Sequence, residues 1–260
     1  FFKLVVVAIH GACLGLGLEL SLACSYRIAS DSPKTQLGLP ETQLGILPGA
    51  GGCVRLPRLI GVRAAFDIIL AGRSERAPKA RKLGLIDELV PNSILVDTAV
   101  AAAERLAHSG VPRRKPVGGL AAAFLDRSMV GRWIVYGMAR KQVLRKTHGN
   151  YPAPLAAIEV VRTGLERGKA AGFAAEARAF GELAVTPVSR QLVRIFFATT
   201  ALKKDDGVGG GTGTARDVRR LGVVGSGFMG AGIAGTAITT AQVDVRLKDA
   251  ELGRIGKGIK

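Results

Sequence analysis

Two glutamates stand alone among apolar and glycine-rich neighbours, and isolated carboxylates of this kind are candidates for acid–base chemistry. The first, Glu19, follows the run from Val5 through His10, Gly11, Gly15 and Gly17, and is the only acid in a mostly apolar stretch from Leu18 to Ile28. That run passes from a strand through a glycine turn into a helix, whose first amides lack intrahelical acceptors and favour negative charge. Glu19 therefore either complements the helix dipole or handles a proton. The second, Glu41, is the single acid between Leu37 and Gly52, a segment held in an irregular backbone by Pro40, Pro48 and five glycines. A glutamate after proline also serves as a cap, so Glu41 alone decides nothing, but two isolated glutamates can act as a pair. His10, one histidine beside a turn, is read as structural.

A third constellation is Gly225-Ser226-Gly227-Phe228-Met229-Gly230, which follows an expected strand and opens an expected helix. Asp249 closes the next strand about 20 residues on, the spacing at which a carboxylate reaches the ribose of a dinucleotide. Gly225 would permit the tight turn, Gly227 the approach of the pyrophosphate, and Gly230 the close packing of helix on strand. The acid favours NAD over its 2′-phosphorylated form, with Lys248 beside it as a contrary charge. A glycine-rich loop with an unrelated aspartate is the alternative.

The elements that must position these groups fall into blocks. Up to about Ala107, β-branched runs, glycine turns and amphipathic stretches alternate, as in a layered α/β domain. From about Leu120 to Leu202 the pattern is helical: Leu155, Ile158, Val161 and Leu165 recur at helical spacing after Pro152, and Thr186-Pro187 forms an N-cap and first helical position. A glycine-rich coil follows from Lys203. Leu221–Val224, Phe228 to about Thr240 and Val243–Lys248 then give a strand, a helix and a strand. The expected divisions are 1–112, 113–202, 203–217 and 218–260.

Bulk properties narrow the function class. The 260 residues are 48% hydrophobic and carry a formal charge of +17, enough apolar content for a core. Lys and Arg are scattered, and the clusters Arg113–Lys115 and Arg216–Arg220 flank connectors without aromatic interleaving, so a solvated surface is favoured over nucleic-acid binding. The charge also suits an acidic small molecule. Apolar runs fall well short of the ~20 residues of a membrane span, so no transmembrane segment is expected. Cys13, Cys24 and Cys53 form no spaced pair, which fits a reducing, cytoplasmic setting, and no metal site is expected. Residue 1 is phenylalanine and leads straight into a strand-like run, so the sequence is read as an internal piece of a longer protein.

Taken together, Ile9-His10-Gly11-Ala12-Cys13-Leu14-Gly15, Leu39-Pro40-Glu41, Leu47-Pro48-Gly49-Ala50-Gly51-Gly52 and Arg55-Leu56-Pro57-Arg58-Leu59-Ile60-Gly61 resemble the crotonase superfamily. Within it they resemble the enoyl-CoA hydratase domain of the alpha subunits of bacterial fatty-acid oxidation complexes. The resemblance continues through Gly149-Asn150-Tyr151-Pro152-Ala153 and Glu176-Ala177-Arg178-Ala179-Phe180-Gly181-Glu182-Leu183-Ala184, and the fingerprint resembles the start of the 3-hydroxyacyl-CoA dehydrogenase domain that follows in that family.

The resemblance implies an α/β fold: an N-terminally truncated crotonase-like core, a helical connector and the opening βαβ of a Rossmann domain. It implies that Glu19 and Glu41 hold the water added to a trans-2-enoyl coenzyme A thioester, with the amide of Leu16 as one half of the oxyanion hole and the other half upstream of Phe1. It implies NAD for the longer protein, at Gly225, Gly227, Gly230 and Asp249, and a thiolase beta subunit as partner. Position 16 departs from the family, which has glycine there. Leucine resists a positive φ and puts a side chain where the thioester should approach, which sets Leu16 against turnover and leaves a non-catalytic acyl-CoA-binding protein as the alternative.

Overall fold

The computed structural model describes residues 4–112, 124–126, 128–205 and 217–258. Two compact units result, Phe1–Leu202 and Lys203–Lys260. The glycine run at 206–216, expected as a linker, lies outside the described residues, as do 113–123 with the cluster Arg113–Lys115.

The first unit opens with β1 (Val6–Ile9), β2 (Ala12–Leu14), α1 (Leu16–Ala23) and β3 (Tyr26–Ser30). β1 and β3 pair in parallel, from Val6 opposite Tyr26 to Ile9 opposite Ala29. Parallel neighbours cannot be joined by a tight hairpin, so β2 and α1 form the crossover. β3 is buried along its whole length and pairs on its other edge with β6 (Glu88–Val90), again in parallel. A second sheet sets β4 (Gln36–Gly38) between β2, parallel to it, and β5 (Ser74–Arg76), antiparallel. Leu18, Leu37, Leu56 and Ile68 are fully enclosed in one core with the helices α2 (Gly52–Ile60) and α3 (Val62–Ile69), while Ile28 is enclosed in a second cluster with Leu95, Ala102 and Leu106. Side chains of this size each contribute about 1.5–3 kcal/mol on burial.

One buried cation fastens the crossover. Arg27 on β3 is 2% exposed, and its guanidinium donates to the carbonyls of Ser21 (3.0 Å), Cys24 (2.7 Å) and Leu85 (3.0 Å), with Asp87 Oδ2 at 3.4 Å. The last carbonyls of α1 thus find a donor where the helix has none to offer.

After α4 (Ala77–Lys82) and α5 (Leu95–Ser109) the chain becomes helical: α6 (Met129–Thr147), α7 (Pro152–Arg167), α8 (Lys169–Ala184) and α9 (Pro187–Leu202). Pro152 and Pro187 occupy first helical positions, and Thr186 Oγ1 accepts the Ser189 amide at 3.2 Å. α7 and α8 approach closely where Gly164 meets Gly172, beside Val54 of α2. One turn beyond Gly172, α8 turns Glu176 into the core, with Leu183 on the same face.

In the second unit β7 (Arg220–Val224) and β8 (Asp244–Lys248) run parallel, from Arg220 opposite Asp244 to Val224 opposite Lys248. α10 (Phe228–Thr239) is their crossover, and α11 (Leu252–Gly258) follows.

The α7–α8 approach is testable in urea. A Cβ on Gly172 would come 2.7 Å from the Gly164 Cα and 3.1 Å from Val54 Cγ2, whereas one on Gly181 of the same helix meets nothing within 4 Å. Gly172→Ala should therefore destabilise the chain by about 1–3 kcal/mol, and Gly181→Ala should stabilise it by up to about 1 kcal/mol. Equal midpoints for the two variants would show that the helices part freely.

Candidate active site

The Gly15 turn carries the first glutamate. Gly15 adopts φ 56°, and its amide donates to the Gly38 carbonyl of β4 at 2.9 Å. Leu16 is the first residue of α1 and is not among the residues of positive φ. This corrects the backbone objection to leucine: the left-handed conformation falls on Gly15, one position earlier, where no Cβ resists it. The Leu16 side chain is 59% exposed.

Glu19, in the first turn of α1, is 3% exposed, yet its carboxylate does not complement its own helix. Oε1 accepts the amides of Ala50 (2.8 Å) and Gly52 (2.7 Å), at the start of α2. A second carboxylate meets the same helix start. Glu176 of α8, 1% exposed, accepts the amide of Gly51 on Oε1 (2.5 Å) and that of Cys53 on Oε2 (2.8 Å). Glu176 belongs to a stretch quoted for its resemblance, with no role attached. The signal that would have singled it out is an acid on the inward stripe Gly172, Glu176, Ala179, Leu183 at helical spacing.

Glu41 stands on the short 3-10 helix Pro40–Leu44 that follows β4. Its Oε1 lies where a Cβ on Gly15 would be, 2.9 Å from that position, and its Oε2 is buried with no hydrogen-bond partner among the described residues. Burial pushes the Glu41 carboxyl up to about 7, its own backbone amide opposes this, and the charge of Glu19 adds to it. Burial likewise pushes Glu176 up to about 7, against the Gly51 and Cys53 amides and with the charge of Glu19. The structure thus brings Glu19 and Glu41 within electrostatic reach, with Gly15 between the loop of one and the helix of the other.

His10 is spent on structure. Its Nδ1 lies 2.9 Å from Ser30 Oγ, which meets Thr35 Oγ1 at 2.6 Å, and Thr35 in turn accepts the Gly11 amide.

In the second unit Gly225 has φ 97°, a Cβ on Gly230 would overlap the Gly225 carbonyl oxygen, and the space beside Gly227 is open. Asp249 folds back onto this turn: Oδ2 accepts the Ser226 amide (2.7 Å) and hydroxyl (2.6 Å), and Oδ1 the Ala250 amide (2.7 Å). The Ser226 hydroxyl and amide hold the Asp249 carboxyl down at about 2. Among the described residues no cluster of metal-ligating side chains occurs.

Residues 2–115 match the family described as Enoyl-CoA hydratase/isomerase. The chain is 51% identical over 246 residues to the fatty acid oxidation complex subunit alpha of Shewanella amazonensis, across 94% of this chain and 34% of that protein. It therefore spans about a third of that relative's length. Among solved structures it resembles carnitinyl-CoA hydratase from Mycobacterium avium (25% identity, TM-score 0.50, 76% of this chain and 60% of that one). It also resembles enoyl-CoA hydratase from Bacillus anthracis (32% identity, TM-score 0.39, 77% and 59%).

The raised Glu41 carboxyl makes stability pH-dependent. The native state holds this proton more tightly than the unfolded chain, so the contribution is full below about pH 4.5 and is lost as pH rises through about 7. Glu41→Gln should then be more stable than the parent chain at pH 8 by about 1–2 kcal/mol, solvent screening the remainder, and the difference should vanish near pH 4. Urea unfolding at the two pH values checks it; a difference independent of pH would remove the assigned burial effect.

Proposed function

We propose, from the match of residues 2–115 to the enoyl-CoA hydratase/isomerase family, that Glu19 and Glu41 add water across the double bond of a trans-2-enoyl-CoA in fatty-acid β-oxidation. The observation that carries this is the contrast between the two carboxyls. Glu41, held up to about 7 and with Oε2 unpartnered among the described residues, carries a proton in about half of the molecules near pH 7 and is suited to protonate C2. Glu19, fixed through Oε1 by two amides, has Oε2 left to take a proton from the water attacking C3. Hydroxide adds at C3, the Glu41 proton is delivered to C2, and the proton taken by Glu19 restores the pair. Negative charge passes through the thioester oxygen as an enolate, and the first-turn amide of Leu16, which has no acceptor within its helix, is the donor this chain offers to it.

For the longer protein, we extend the proposal to a second step, oxidation of the 3-hydroxyacyl-CoA product. Gly225, Gly227, Gly230 and Asp249 are the residues that would hold a dinucleotide, and the positive φ of Gly225 and the open space beside Gly227 support this. NAD would supply the hydride acceptor there. A thiolase beta subunit is the proposed partner, consuming the 3-ketoacyl product. The free Cys13, Cys24 and Cys53 support a reducing compartment, the cytoplasm.

The decisive assay is hydration of crotonyl-CoA by this chain carried on the upstream and downstream sequence of its Shewanella relative. Glu19→Gln and Glu41→Gln should each lower kcat by orders of magnitude and leave acyl-CoA binding nearly intact, since both act on water. Parental rates in either variant would remove the proposed roles.

The exposed Leu16 side chain favours a second possibility, a domain that binds acyl-CoA without turning it over. If the side chain obstructs the amide, Leu16→Gly should raise kcat, by no more than the ~10²–10³ that one oxyanion donor is worth. An unchanged or lower kcat would show that the site accommodates leucine.

A further inference from the structure

Four consecutive amides open α2, and they alternate between two carboxylates. Those of Ala50 and Gly52 go to Glu19, and those of Gly51 and Cys53 go to Glu176. We infer that Glu176 is a positioning residue for Glu19: by taking the alternate pair of amides, it fixes the turn that presents the other pair to the Glu19 carboxylate. This rests on the proposed role of Glu19 in hydration.

The turn cannot hold itself. Gly49, Gly51 and Gly52 flank Ala50, so the segment has little conformational preference of its own, and its geometry is set by what accepts its amides. Glu19 reaches only the even-numbered pair. Left to Glu19 alone, the amides of Gly51 and Cys53 would be unsatisfied in a buried place, and the turn would rotate to relieve them. Glu176 prevents this from a rigid base, because α8 is seated one turn earlier by the Gly164–Gly172 contact. Arg55 secures the same turn from the outside, donating to the Ala50 carbonyl at 2.6 Å while its guanidinium lies 4.8 Å over the Phe173 ring of α8. The charged and titratable groups facing Glu176 are Glu19, Arg55 and Cys53.

Amide hydrogen exchange in the 260-residue chain tests this without substrate. Glu176→Gln keeps the side-chain shape but replaces one accepting oxygen with a donor. Exchange at Ala50 and Gly52, whose amides donate to Glu19 and not to Glu176, should accelerate about tenfold or more, along with Gly51 and Cys53, while the amides of β3 stay protected. Acceleration confined to Gly51 and Cys53 would overturn the inference. Should Glu176→Gln unfold β3 as well, the reciprocal Glu19→Gln decides: Gly51 and Cys53 must then accelerate, and their unchanged exchange overturns it.

In the extended protein Glu176→Gln should lower kcat for crotonyl-CoA about a hundredfold, with KM within about twofold of the parent because Glu176, 1% exposed, offers no surface to a ligand. A rise in KM at constant kcat would also overturn the inference. Full hydration activity in Glu19→Gln, beside the predicted exchange pattern, would instead refute the proposed chemistry of Glu19 and leave the coupling between the two carboxylates standing.

Discussion

The start of α2 is a helix end buried in protein, and its first amides must find acceptors there or forfeit a hydrogen bond each. Both acceptors come from far away in sequence, Glu19 from 31 and 33 residues upstream and Glu176 from 125 and 123 downstream. The β1–α1–β3 crossover, the Ala50–Cys53 turn and the helical segment are therefore closed on one another at a single point. Arg27 at the other end of α1 and the Gly164–Gly172 contact on α8 hold the two carboxylates at the positions this closure requires.

Meeting that constraint with carboxylates rather than with water or hydroxyls has electrostatic consequences. Burial raises both Glu41 and Glu176 to about 7, and the charge of Glu19 adds to each. Positive charge at the α2 start offsets part of the repulsion, through the amides that the carboxylates accept and the helix dipole. What remains is a site in which one carboxylate is anchored and a neighbouring carboxyl resists ionisation. A fold selected for stability alone would not gather three acids here.

Much of this was legible in the sequence, because local patterns announce themselves. The strand before the first turn, the helices after Pro152 and Pro187, and the strand–helix–strand ending at Asp249 follow from β-branched runs, helix-start prolines and glycine spacing. The isolation of Glu19 and Glu41 marked them before any contact was visible. What the sequence did not yield depends on long-range partners. That Glu19 caps a neighbouring helix rather than its own requires knowing where α2 begins in space. The three-residue strands β2, β4 and β5 are too short to show a period. The position of the left-handed residue, Gly15 and not Leu16, turns on one peptide, finer than any spacing argument resolves. Glu176 was masked by composition, since an acid among alanines on a helix looks solvated until the helix is turned inward.

The two units use one device under opposite conditions. In each, a glycine-rich turn opening a helix is held by a carboxylate from another element: Glu19 and Glu176 at Ala50–Cys53, and Asp249 at Ser226. At Glu176 desolvation outweighs the amides it accepts, and the carboxyl is driven up to about 7. At the half-buried Asp249 the hydrogen bonds prevail, and the carboxyl is held down at about 2. Contact geometry alone thus does not assign chemistry to a capped glycine turn. Burial decides the direction: it pushes the Glu41 and Glu176 carboxyls up to about 7, whereas the hydroxyl and amide of Ser226 pull Asp249 down to about 2.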